Sequence, residues 1–71
     1  MAQEHDSTAR ATGLRRELYG LVRTERALRR EIGTRVLAGA PVVDLRALRR
    51  ANREQQEDIS AAVIVLEAAT P

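Results

Sequence analysis

Cysteine is absent, so neither a disulfide nor a thiolate metal site can brace this chain. Histidine occurs once, as His5, in a polar N-terminal stretch, which leaves no paired imidazoles for a metal. Tyr19 is the single aromatic residue, fewer than a β-sandwich core or an enzyme pocket normally uses. Lysine is missing as well, and all twelve basic residues are Arg. A GC-rich coding sequence produces that bias more readily than a binding requirement does. The one apolar run, Ala61 to Leu66, is far shorter than the ~20 residues of a membrane span. Met1 to Arg10 is polar and holds Glu4 and Asp6, unlike a signal peptide. The expectation is a soluble, cytoplasmic protein with no metal, no cofactor and no membrane partner.

What remains is helix-forming. Ala, Leu, Arg, Glu and Gln dominate, and only two Pro and four Gly interrupt them. Residues 1–7 read as a flexible tail, with Asp6, Ser7 and Thr8 as candidate N-caps. Leu14, Leu18, Leu21, Leu28, Ile32 and Val36 then recur at steps of three, four or seven, which is helical spacing. Gly13 and Gly20 share a face, where they either admit a close helix approach or are simply tolerated in solvent. Gly39 suits a left-handed C-cap, and Pro41 blocks continuation. Asp44 reads as the next N-cap, with Val43 and Leu48 as a hydrophobic staple. The second stripe is Leu45, Leu48, Asn52, Gln55, Ile59, Ala62 and Leu66, and Thr70-Pro71 end it. The predicted fold is all-α: a two-helix antiparallel hairpin, with helices over about 8–38 and 44–69, forming one domain over 8–71.

A hairpin of this size is marginal alone. With disulfides and metals excluded, oligomerisation or a partner is the remaining aid. Residues from Ile59 to Ala69 are apolar nearly all round the helix, and Tyr19 and Val22 widen the facing surface. A homodimer of hairpins forming a four-helix bundle would cover that excess, and another helical protein would serve equally well. The expected interface residues are Leu18, Tyr19, Val22, Ile59, Val63 and Leu66. Folding the hairpin about its turn sets Leu21 near Ile59 and Leu14 near Leu66. It also brings Glu25, Asn52 and Gln55 into one polar layer of the core, of the kind that sets register. The alternative is that Glu25 only pairs with Arg29 at the surface.

Charge is uneven. All twelve Arg fall within residues 10–53, so the turn end is basic and the open end neutral to acidic. Arg46, Arg49, Arg50 and Arg53 share a helix face and could bind phosphate. A solvated face laced with ion pairs is the competing reading: Glu31–Arg35, Glu25–Arg29, Arg50–Glu54 and Arg53–Glu57 all have i,i+4 spacing. Catalysis has little support. Ser7 and Ser60 have no adjacent base, Ser60 is better placed to bond back to its own helix, and Glu57 and Asp58 point to different sides. The expected function is non-enzymatic: an interaction protein acting as adaptor, assembly factor or small regulator. The alternatives are a nucleic-acid-associated protein using the Arg face, and an enzyme subunit whose site forms only between chains.

Overall fold

The computed structural model describes the backbone of residues 2–69 and the side chains of residues 7–69. It is an all-helical antiparallel hairpin. Helix α1 spans Ala2–Leu37, helix α2 spans Val43–Ala68, and the two pack along their lengths. The helical backbone continues past Thr8, Ser7 and Asp6 to Ala2, so the cap expected among these three is not used. Thr70 and Pro71, expected to end α2, lie outside the described residues, as does the side chain of His5.

The turn is a Schellman motif. The Gly39 amide donates to the Val36 carbonyl (3.1 Å) and the Ala40 amide to the Arg35 carbonyl (2.8 Å). Gly39 sits at φ +71, the left-handed conformation that a residue with a Cβ resists. The start of α2 corrects the expectation made from sequence. The N-cap is Val42, with no side-chain cap, and Asp44 lies inside the first turn. The Val43–Leu48 staple does not form, since Val43 is 79% and Leu48 56% exposed. Arg35 does the joining instead. Its guanidinium donates to Glu31 Oε1 (3.3 Å), to Asp44 Oδ2 (3.3 Å) and, at the limit of range, to the Pro41 carbonyl (3.5 Å). One half-buried cation thus ties the end of α1 to the loop and to the start of α2. Asp44 also lies where the positive end of the α2 dipole favours an anion.

The seam follows a strict heptad on both helices. On α1, residues 7, 11, 14, 18, 21, 25, 28, 32 and 35 are all buried or half-buried. On α2 the same holds for 45, 49, 52, 56, 59, 63 and 66. Three residues of the expected α2 stripe lie off the seam: Leu48 and Gln55 point to solvent and Ala62 is half-buried beside it, while Arg49, Gln56 and Val63 occupy the seam. Arg49 can do so because its aliphatic stem covers apolar surface while its head reaches a carboxylate. Val36, placed on the α1 stripe, is also exposed.

The result is a rod of 56 × 14 × 13 Å with a radius of gyration of 16.4 Å. A globular domain of this length would have about 11 Å. Its accessible surface is 5658 Å², against about 4400 Å² for a compact monomer of this mass. Among the described residues no side chain is completely buried, and only Ala11, Leu45, Asn52 and Val63 count as buried.

Candidate interaction surface

Two grooves flank the seam at the open half of the rod. The first is lined by Leu18, Tyr19 and Val22 of α1 and by Ser60, Val63 and Ile64 of α2. Heptad geometry explains the grouping, since Leu18 and Val63 are seam residues and Tyr19, Val22, Ser60 and Ile64 lie one step to the same side. Tyr19 is 74% and Ile64 65% exposed, so the largest apolar groups here are uncovered. Arg15 borders the groove, and its guanidinium is ion-paired with Glu67 across the helices.

Of the six interface residues expected from sequence, Leu18, Tyr19, Val22 and Val63 meet on this flank. Ile59 and Leu66 are seam residues that line the other flank, and Leu66 also reaches the side of Arg15 and Glu67. On the other flank Leu66 joins Leu14, Gly13, Ala62 and Val65 in a shallower groove bounded by Arg10 and Glu17. Ile59 shares the neighbouring stretch with Leu21 and Gly20. The alignments of Leu14 with Leu66 and Leu21 with Ile59 therefore hold. Gly13 and Gly20 make no close helix approach within the chain, because a Cβ on either would meet nothing within 4 Å. Ile64, Ser60 and Arg15 belong to the first flank and were missed from sequence. Their shared side becomes legible once the seam is set at 59, 63 and 66 rather than 59, 62 and 66.

A polar layer separates this apolar half from the turn. Glu25 is its centre, with a side chain only 13% exposed. Gln56 Nε2 donates to Glu25 Oε2 (3.0 Å) and to Asn52 Oδ1. Arg53 Nε donates to Glu25 Oε1 (3.2 Å), with Arg29 at 3.7 Å and Arg49 at 3.9 Å from the same oxygen. Glu25 and Asn52 thus share a layer, as expected, but their partner is Gln56 and not Gln55, which is exposed. The reason is the seam register: position 56 is four residues after Asn52 and faces α1, whereas 55 is turned about 100° away. Asn52 is 5% exposed, yet among the described residues no buried side-chain polar atom lacks a partner. The Gln56 hydrogen bond, followed by the charges of Arg29 and Arg53, holds the Glu25 carboxyl below its ordinary value of 4.5, against a desolvation that pushes it up.

The four arginines named as a phosphate face divide into two pairs. Arg49 and Arg53 turn toward Glu25. Arg46 and Arg50 stay exposed and have no acid within ion-pair distance among the described residues. The Glu31–Arg35 and Glu25–Arg29 pairs form. Among the described residues the Arg50–Glu54 and Arg53–Glu57 pairs do not, and Arg53 reaches across to α1 instead. Back-bonding to the carbonyl four residues earlier, expected of Ser60, is made by Thr12, Thr24 and Thr34. Among the described residues no three His, Asp or Glu side chains converge to hold a metal, and no helix is long and apolar enough to cross a membrane.

Comparison with known families, with characterised proteins and with solved structures gave no match. The functional reading rests on the chemistry of the surface.

Proposed function

We propose that this chain is a non-enzymatic interaction protein, an adaptor, assembly factor or small regulator of the cytoplasm, whose working surface is the flank around Tyr19. The observation that carries the reading is the exposure of Tyr19 and Ile64 beside a seam with almost no buried core. Large apolar groups left uncovered next to so thin a core favour association over a free existence. The occupant that best fits is a second copy, forming a four-helix bundle. The rod exposes about 1,200 Å² more than a compact monomer would, and a standard interface covers about 800 Å² per partner. The flank can also be buried without stranding a charge, because Arg15 already has Glu67.

Size-exclusion chromatography with light scattering over a hundredfold concentration range tests this. The expected result is a dimer of about twice 7.9 kDa whose melting temperature rises with concentration. A monodisperse monomer with a cooperative, concentration-independent melt would overturn it.

A second reading, nucleic-acid association, draws support from the exposed Arg46 and Arg50, which have no acidic partner among the described residues. Phosphate binding must weaken steeply as salt rises. A shift assay that is insensitive to salt, or to Arg46→Ala with Arg50→Ala, removes that reading.

A further inference from the structure

We infer that the second copy docks antiparallel, flank against flank, on a two-fold axis that passes beside Tyr19. This rests on the self-association reading above and adds to it an orientation and an axis. In a two-fold interface the residue on the axis meets its own copy. Two orientations bring the same flank together. In one, both turns lie at the same end. In the other, the turn of each hairpin lies against the open end of its partner.

Charge separates them. Residues 26–53, at the turn end of the rod, hold eight Arg and two acids, Glu31 and Asp44, for a charge of +6. The segments at the other end, 2–13 and 66–69, hold one Arg and three acids, for −2. Parallel docking sets +6 beside +6, and antiparallel docking sets +6 beside −2. Like charge along a whole rod end is a strong bias against one orientation, even with a Debye length of about 8–10 Å.

Position permits the antiparallel choice at no loss of contact. Helix α1 runs from Ala2 to Leu37, so Tyr19 is at its midpoint. A perpendicular two-fold axis there overlays the two α1 helices along their full length. It stacks the apolar middle of each rod, Leu18, Tyr19, Val22, Val63 and Ile64, on its copy. The opposite flank is less suited to the axis. Its exposed apolar group is Val65, and its borders, Arg10 and Glu17, have no ion-pair partner among the described residues.

The chain has no cysteine, so a single one can be labelled cleanly. Ala38, just past the end of α1, is exposed, and Ala38→Cys carries a nitroxide there. Pulsed electron–electron double resonance on the full chain then reads the distance between the two turns. With a rise of about 1.5 Å per residue, the antiparallel dimer puts the labels about 57 Å apart. A parallel dimer puts them within about 30 Å, the width of the bundle plus the label arms. A peak near that longer distance that Tyr19→Glu abolishes supports the inference. A short distance overturns the orientation and leaves self-association standing. A long distance that survives Tyr19→Glu overturns the axis. No dipolar signal, with a monomeric mass, overturns the self-association reading itself.

Discussion

The two halves of the rod are held together by different means. From Glu25 to the turn, the helices are joined by groups that find partners within one chain: Gln56 and three Arg around Glu25, and Arg35 against Glu31, the loop and Asp44. From Leu21 to Ala11 the seam is apolar, and the flank beside Tyr19 is largely so, with the Arg15–Glu67 pair at its border. Hydrogen bonds and ion pairs saturate, because each donor or acceptor takes a fixed number of partners. Apolar burial does not, and a strip on two thin helices always has a wet side. The polar groups that join the helices in the turn half are therefore satisfied within one chain, although Val36, Leu37, Val43 and Leu48 stay exposed there, and the open half, with Tyr19, Ile64 and Val65 uncovered, is where another chain is proposed to sit.

The largest break in this contrast is expected at Ile64. Ile64→Glu replaces an exposed flank residue, so a lone hairpin should tolerate it. In a dimer it removes two buried side chains, about 3 kcal/mol or more, and raises the dissociation constant by roughly a hundredfold or more. Sedimentation velocity across a dilution series reads this. Leu45→Ala, in the turn half, acts the other way. Leu45 is 7% exposed within a single chain, so its loss should cost about 2–3 kcal/mol by urea denaturation whatever the oligomeric state.

Glycine substitutions sharpen the comparison at about 1 kcal/mol. Gly39→Ala should destabilise by about that much, because the position has positive φ although space around it is open. Gly13→Ala should stabilise by up to about 1 kcal/mol, because a Cβ there meets nothing and helix propensity rises. If Gly13→Ala instead lowers the melting temperature, that flank is in contact with another chain.

The smallest effect is also the most local. The folded Glu25 carboxyl is held below its ordinary value of 4.5 by Gln56, Arg29 and Arg53. A depressed acid contributes stability that is complete above its unfolded pKa and is lost as pH falls through its folded one. Thermal melts of wild type and Glu25→Gln should therefore differ most near neutral pH and converge in acid. A constant offset from neutral pH down to strong acid would show that the carboxylate charge contributes nothing to the layer.

The hairpin, its turn and the existence of a polar layer were legible from residue types. Gly39 before Pro41 reports a chain reversal through backbone sterics alone, and leucines at three and four report a helical face. The start of α2 was not legible. Asp44 looks like a cap because its carboxylate could accept amides, but Arg35 claims that carboxylate from nine residues upstream. The glutamine of the polar layer reads as Gln55 rather than Gln56 for a related reason. Leu48 is more apolar than Arg49, so hydropathy alone draws the stripe through 48 and 55. Nothing local reports that the Arg49 head has a carboxylate waiting on α1.

By itself, then, the sequence determined two helices, a reversal at Gly39 and a segment from Ile59 to Ala69 that is apolar nearly all round. Each follows from interactions between near neighbours in the chain or from composition. Only the tertiary structure decided which side of each helix faces inward, that Glu25 gathers Gln56 and three Arg, and that Tyr19 and Ile64 share one open flank. Those outcomes depend on the register of one helix against the other, and a single residue of rotation, about 100°, moves every side chain to a different neighbour.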